Sequence, residues 1–503
     1  MLIDLILVLF FIASFIFRIF YVSGYDFAFT IDQARDMLEI RKLVVGHELV
    51  FIGPITSLNG VFLGPFWYYF NLLPFIVGGG NPSSLVIWQI VVFHLTAPVF
   101  FLYFARKNYP LAFLGSLFLL LSPRFFVATS YAFNANTTPL FVLLALLLLD
   151  RVLTIKKVLS IFILGLLVGL TLQMEAAFGV LLLPLSLFWL LVARLKELRF
   201  FFLGLLMTLV PQLLFELKHN FMMSRTFLTE FSGQSDILGQ KLDLVARLTD
   251  RYQHYLGSLA GALPLGLPLA LTLFIICLIV GLYYRNRFFL INLSLLIFSF
   301  LFYLIYPNRL KDWWTINLTI PYLMIFASSL SRLWSKKNQF LKVGLVLFLI
   351  FILLHSGRLY LNLGKVRLRE RSNDPALLLN QIEAIDWVYG RAGGEGFKVY
   401  NFVPAVYDLN YQYLFWWYGG WKYGYQPSAV TYQAGVPEYI ENTARYWSKT
   451  KPAGDLIFLI RESNQNFLDK ETAWRKNYES LCVVEQERLL GNIIVEKLSP
   501  CKK

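Results

Sequence analysis

The sequence predicts a polytopic α-helical membrane protein of about eleven spans that ends in a small extracytoplasmic α/β domain. Three observations support this. Of 503 residues, 57% are hydrophobic, 17% aromatic and only 15% charged, which is too apolar for a soluble globular chain. Apolar runs of near-spanning length follow one another as far as about residue 356, and Lys and Arg collect in every second connection between them. From about residue 357 onward, charged residues, Asn and Gly return and no further spanning run occurs.

The first run, 2–22, lacks a small-residue cleavage site and reads as a retained helix with Arg18 near its far end. Further runs lie at about 85–105, 110–129, 137–150, 158–172, 176–193, 199–216, 264–284, 288–306, 313–331 and 340–356. Pro98, Pro184, Pro211 and Pro321 fall inside or near the ends of these runs, as membrane helices tolerate when neighbours satisfy the freed carbonyl. Arg106 and Lys107, then Arg151, Lys156 and Lys157, then Arg194, Lys196 and Arg199, then Arg285 and Arg287, then Arg332, Lys336 and Lys337 mark one side as cytoplasmic. The intervening short turns hold only Arg124, Arg309 and Lys311. The amino terminus is therefore expected inside and the carboxyl terminus outside. This orientation requires that 61–79 does not cross, since a crossing would reverse the charge pattern. Gly64, Pro65, Pro74 and the run 78–82 (GGGNP) suit a re-entrant or surface helix.

The membrane domain is thus expected over 1–356, with outer loops at 23–84 and 217–263, and the extracytoplasmic domain over 357–503. In the latter, 375–391 has helical periodicity, while GFKVYNFV, DLIFLIRE, SLCVVEQE and GNIIVEKL read as strands. The aromatic stretch 411–425, with Trp416, Trp417 and Trp421, could stack on sugar rings or rest at the bilayer interface, and we expect the interface. The net charge of +14 lies largely in cytoplasmic turns facing anionic lipid and needs no nucleic-acid partner. Cys277 falls within a span, whereas Cys482 and Cys501 share the outer tail, where a disulfide remains open.

Carboxylates are costly in a bilayer, so those at the ends of spans are candidates for chemistry. Asp32 and Asp36, with Gln33 and Arg35 between them, lie in the first outer loop. Phe29, Ile31, Met37, Leu38, Ile40, Leu43 and Val44 suggest that they ride on a helix at the membrane surface. On spacing alone the segment reads equally as a solvated connector whose acids balance Arg35, Arg41 and Lys42. Glu175, close to Gln173, joins them at the expected outer face, as do Glu216 and Asp312, and together they would surround one cavity. Asp150 and Glu197, on the inner face, sit beside basic residues as ordinary loop charges. Arg309 and Lys311, near Asp312, suit a phosphate-bearing lipid substrate or a lipid headgroup equally. Arg225 and His219 lie in the second long loop, where His219 reads more readily as a surface histidine. No His/Cys pair has metal-ligand spacing, so neither metal site nor cofactor is expected, although a divalent cation (Mg or Mn) held by carboxylates alone stays open. Glycine-rich phosphate loops, a G-x-S-x-G elbow and a dinucleotide fingerprint are absent, which argues against cytosolic nucleotide-driven chemistry.

The order of several segments is informative. FTIDQARDMLEIRKLVVG follows the first span, LGPFWYYF comes next, and LLLSPRFFVATSYAFNANTTPLFVLLALLLLDR, LGLLVGLTLQMEAAFGVLLLP and DWWTINLTIPYLMIFASSL succeed them. Over about residues 1–335 this resembles the membrane-embedded GT-C glycosyltransferases that use polyprenyl-phosphate sugars. That group includes the family 39 protein O-mannosyltransferases and the lipid A aminoarabinose transferases. The resemblance implies transfer of a single hexosyl or pentosyl unit from a polyprenyl-phosphate carrier to a glycan, lipid or protein acceptor at the outer face of the plasma membrane. It also implies an inverting mechanism in which a first-loop aspartate is general base, here Asp32, with Asp36 second. The sequence departs from the pattern at Gln33, where relatives such as the aminoarabinose transferases carry an acid. Leu63 stands where a lysine precedes paired prolines, Gly64 replaces the first of those prolines, and Asn134 and Asn136 stand where many relatives place an aspartate. The phosphate contact is then expected from Arg309 or Lys311, and sugar contacts from amides. A transporter or flippase would place ionisable residues near mid-bilayer and show repeats between its halves, and neither is visible. A polysaccharide polymerase or ligase, expected to rely on a large late outer loop, stays open.

Overall fold

The computed structural model describes residues 2–56, 60–231, 241–369, 371–404, 407–433, 435, 446, 451 and 456–501. In chain order the helices are α1 (Leu2–Val22), α2 (Ile31–Val44), α3 (Phe66–Phe70), α4 (Leu72–Val77), α5 (Pro82–His94), α6 (Thr96–Phe104), α7 (Tyr109–Leu121), α8 (Pro123–Thr129), α9 (Asn134–Ile155), α10 (Val158–Met174) and α11 (Ala176–Val192). They continue with α12 (Leu198–Lys218), α13 (Met222–Phe231), α14 (Leu244–Ala260), α15 (Leu267–Tyr284), α16 (Arg287–Ile305), α17 (Thr319–Trp334), α18 (Gln339–Arg369), α19 (Leu378–Ala392), α20 (Leu409–Leu414), α21 (Gly420–Lys422) and α22 (Leu468–Arg475). The strands are β1 (Lys398–Phe402), β2 (Ala429–Thr431), β3 (Ile457–Glu462), β4 (Leu481–Arg488) and β5 (Ile493–Pro500). The chain divides into two compact units. One comprises Met1–Phe20, Val50–Phe70 and Val86–Lys365, and the other Tyr21–Leu49, Asn71–Leu85 and Val366–Lys503.

Among the described residues the first unit is mainly helical. Among the described residues seven helices are long and apolar enough to cross a membrane, or eight if the bent pair α7–α8 is one span. Each expected apolar run is helical, although α10 and α11 have 17 residues each and α17 has 16. The α7–α8 pair bends by 54° where Pro123 cannot continue the hydrogen-bond ladder. Arg18 stitches that bend, donating to the carbonyls of Leu120 and Phe125 and to the Thr129 hydroxyl, while the Tyr360 hydroxyl caps Leu121. α10 and α12 approach closely through small residues. A Cβ at Gly165 would lie 2.0 Å from the Phe201 carbonyl oxygen, so only glycine fits there. Asp150, expected as an ordinary loop charge, instead lies buried within α9, where it pairs with Arg287 at 2.9 Å and accepts from Tyr103 at 2.7 Å.

The apolar stretch 61–79 forms no long helix. It holds α3 and α4, of 5 and 6 residues, far short of the roughly 20 a span needs. Part of the loop expected at 217–263 forms α13 and α14, and 232–240 lie outside the described residues.

The second unit contains a five-stranded sheet of order β2-β1-β3-β5-β4, in which β1 runs parallel to β2 and β3, while β5 is antiparallel to β3 and β4. The four expected strands are present, and the three-residue β2 was not foreseen. A bond between Cys482 and Cys501 ties edge strand β4 to the chain beyond β5. α18 runs on to Arg369, past the domain border expected at 356.

Residues 21–49 and 71–85 of the first loop also belong to this second unit. Phe29 N donates to Ala376 O at 2.7 Å, Leu378 N to Phe27 O at 3.0 Å, and Arg367 pairs with Asp26. Within the unit Ala34, Met37, Leu38 and Ile40 of α2 are fully buried. The helix expected to lie on a membrane surface is therefore covered by protein on its apolar side. The aromatic stretch 411–425 is corrected likewise. Tyr411, Tyr413, Phe415 and Trp417 are buried in the unit's core, and of its three tryptophans only Trp421 is largely exposed.

Candidate functional site

In the second unit the first turn of α2 gathers Asp32, Gln33, Arg35 and Asp36. Thr30 is the N-cap: its side chain bonds the Gln33 backbone, and the Gln33 side chain returns to accept from Thr30 N at 3.0 Å. This reciprocal box explains the amide at position 33. Gln33 is buried and satisfies a helix terminus rather than facing a ligand. Asp32 lies one residue earlier, where the helix dipole favours an acid.

Arg35 sorts the two acids. Its Nη1 donates to Asp32 Oδ1 at 2.9 Å, and its Nε and Nη2 fork onto Asp36 Oδ1 at 3.0 and 2.9 Å. The Asp36 side chain is 1% exposed and the Asp32 side chain 44%, so the outer acid is reachable and the inner one anchors the arginine. Among the described residues Asp32 Oδ2 has no hydrogen-bond donor, which leaves one oxygen held and the other open. A carboxylate held in this way is suited to receive a proton.

In the first unit Asn134, Gln173 and Glu175 converge where α9, α10 and α11 meet. Gln173 Oε1 accepts from Phe66 N at 3.1 Å, its Nε2 donates to Thr208 O, and Gly64 N donates to Gln173 O at 3.2 Å. A Cβ at position 64 would come within 2.4 Å of the Gln173 side chain, so Gly64 stands where a bulkier residue cannot. Gln173 thus pins the chain at Gly64 and Phe66 to the bundle. Asn134 is buried and donates to Met174 O, whereas Asn136 donates to Tyr131 O at 3.0 Å within its own turn.

Glu175 caps α11 by accepting from Ala177 N at 3.2 Å. Burial of this turn residue pushes its carboxyl up to about 8. Nearby, the Tyr303 hydroxyl reaches Ala177 O at 3.3 Å and Trp314 O at 3.2 Å. Asn317 donates to Thr138 at 2.6 Å. Glu216 proves structural, accepting from Met223 N at 2.8 Å and Ser224 N at 3.0 Å at the start of α13. His219 is exposed and lies 4.2 Å from the Phe215 ring, as a surface histidine would.

Arg309 and Lys311 point outward because their loop is anchored from behind. Arg251, buried on α14, donates to Tyr303 O at 2.9 Å, Tyr306 O at 2.6 Å and Asn308 O at 2.7 Å, while Leu310 N donates to Asp250 at 3.1 Å. The reading of the sequence missed the groups beside them. His254 lies 3.9 Å from Asp250 and 3.4 Å from Asp312, and Arg124 donates to Asp312 O at 3.1 Å and to Thr315 at 2.8 Å. The four-residue spacing of Asp250 and His254 on an amphipathic helix was the available signal. Among the described residues no group of three or more His, Cys, Asp or Glu is placed to hold a metal ion.

No family model matches the sequence, and no curated protein matches it. Solved structures do. ArnT from Cupriavidus metallidurans bound to undecaprenyl phosphate is similar over 97% of this chain and 97% of its own, at 12% identity and a TM-score of 0.59. The same protein in the apo state is similar over 97% of each chain, at 14% identity and a TM-score of 0.61. At that identity the likeness speaks for the fold: this chain is a polytopic membrane protein with the GT-C-like fold of the ArnT structures.

Proposed function

We propose that this protein is a glycosyltransferase that moves a single sugar from a polyprenyl-phosphate carrier to an acceptor at the outer face of the plasma membrane, with Asp32 as general base. The observation that carries the reading is the half-exposed Asp32 carboxylate, one oxygen fixed by Arg35 and the other open, on a GT-C-like fold. The solved ArnT carries undecaprenyl phosphate, which supports a polyprenyl lipid as partner here. The bonded pair Cys482–Cys501 supports an extracytoplasmic second unit, because cytosolic thiols are kept reduced.

In the proposed step Asp32 takes the proton of an acceptor hydroxyl. That oxygen bonds to the anomeric carbon as the bond from this carbon to the phosphate oxygen breaks on the opposite face, inverting the centre. Arg35 holds the carboxylate and Asp36 holds Arg35. Cations near the departing phosphate would stabilise its charge.

The test is sugar transfer by the reconstituted protein from undecaprenyl-phosphate-linked mannose, glucose or aminoarabinose. Asp32→Asn should lower turnover by about 10²–10⁴-fold, the usual worth of a general base. Near-normal turnover in a correctly inserted variant overturns the assignment.

A further inference from the structure

Arg41 lies on the same helix as Asp32, nine residues further on. At about 100° per residue the two side chains leave α2 on opposite sides. The Arg41 side is gripped. Its guanidinium carbon stands 5.0 Å from the Trp416 ring centroid and 4.3 Å from that of Tyr446, and the residue is wholly buried. The two residues are themselves linked, since Trp416 Nε1 donates to the main-chain carbonyl of Tyr446 at 3.0 Å.

Just past the helix, Tyr446 reaches Glu48 at 3.2 Å, and a Cβ at Gly46 would lie 2.8 Å from the Tyr446 hydroxyl oxygen, so the chain there is tightly seated. At the other end Phe29 packs 5.9 Å from Tyr413, whose hydroxyl donates to Gly80 O, and Gln381 Nε2 donates to Phe29 O at 3.3 Å. A planar cation held over two aromatic rings resists sliding as well as separation. A slip of one residue in α2 would turn Asp32 by about 100°.

We propose that Arg41, held by Trp416 and Tyr446, is a positioning residue that fixes the rotation of α2 and so presents Asp32 to its substrate. This rests on the reading of Asp32 as the base. It assigns the aromatic segment of the carboxyl-terminal region a part in catalysis at one remove, through the helix it clamps.

The experiment has two arms. In the first, Asp32→Cys places a thiol at position 32 of the full chain, where Cys277 is buried and Cys482 and Cys501 are bonded to each other, so that a maleimide reports on this thiol. Adding Arg41→Met or Trp416→Leu should change its labelling rate at least tenfold, and Arg391→Met, a surface control, should not. An unchanged rate in both clamp variants overturns the proposal.

In the second arm Arg41→Met with Asp32 intact should lower turnover of the undecaprenyl-phosphate-linked sugars at least tenfold, with KM within threefold and the unfolding midpoint near that of the parent. Combined with Asp32→Asn, it should add no further loss. Full turnover in Arg41→Met, or a loss that adds to that of Asp32→Asn, also overturns it. If Asp32→Asn alone stays active, the base assignment fails, and the labelling arm still decides whether the clamp positions α2.

Discussion

Gln33 shows how one side chain can be read for chemistry when its work is local. It sits at the third helical position of α2, and its amide oxygen satisfies the Thr30 N–H that the helix cannot. Gln33→Ala should lower stability by about 1 kcal/mol, the net value of one such bond, whereas Gln33→Glu keeps an acceptor and should be neutral. Thermal unfolding of the purified variants checks both. The same residue marks what the sequence could and could not reveal about the candidate site. A Thr three positions before a Gln is legible as a cap, and Asp32 is legible as an acid on the first turn. That Asp36 is buried beneath Arg35 while Asp32 stays reachable was not, because burial depends on partners far along the chain.

At the scale of elements, β1, β3, β4 and β5 are legible because each has β-branched residues, joined in β1 and β3 by aromatic ones, in a short run. β2, three residues long, offers no period to detect. The amphipathic pattern of α2 was visible too, but water, lipid and protein cover an apolar face alike in sequence, and only the fold brings α20 and its aromatic continuation against it.

The end of β3 carries a further consequence. Glu462 is buried there, and burial pushes its carboxyl up to about 7, against the polar groups facing it, among them Asn410, which donates to it at 3.3 Å. A carboxyl raised from 4.5 stabilises the fold fully below about pH 4.5 and loses that contribution as pH rises through about 7, a change of about 3 kcal/mol. The unfolding midpoint of this region should therefore fall across that window in the parent protein and stay flatter in Glu462→Gln, as melts between pH 4 and 8 will show.

At the scale of the whole molecule, the Cys482–Cys501 bond closes a loop with a sequence separation of 19. Replacing both cysteines with Ser should cost about 3 kcal/mol in the second unit. In intact cells an impermeant thiol reagent should label these cysteines only after reduction, which tests the disulfide and its compartment together. The run of apolar helices was legible because spanning length needs no partner to be recognised. The division into units was not, since Tyr21–Leu49 and Val366–Lys503 lie far apart in sequence and meet only in the fold.

That distance sets an order of events during synthesis. Ribosomes add roughly 5–20 residues per second, so the stretch 50–365 takes about 15–65 s to make. Throughout that interval the helix bearing Asp32 has been produced while the aromatic residues that cover it have not. Its apolar side must be shielded by the bilayer surface or a chaperone until the last part of the chain arrives. Completion of the carboxyl-terminal region is thus the moment at which the proposed base is set in place, and a chain cut short by premature termination would carry the acid without the means to aim it.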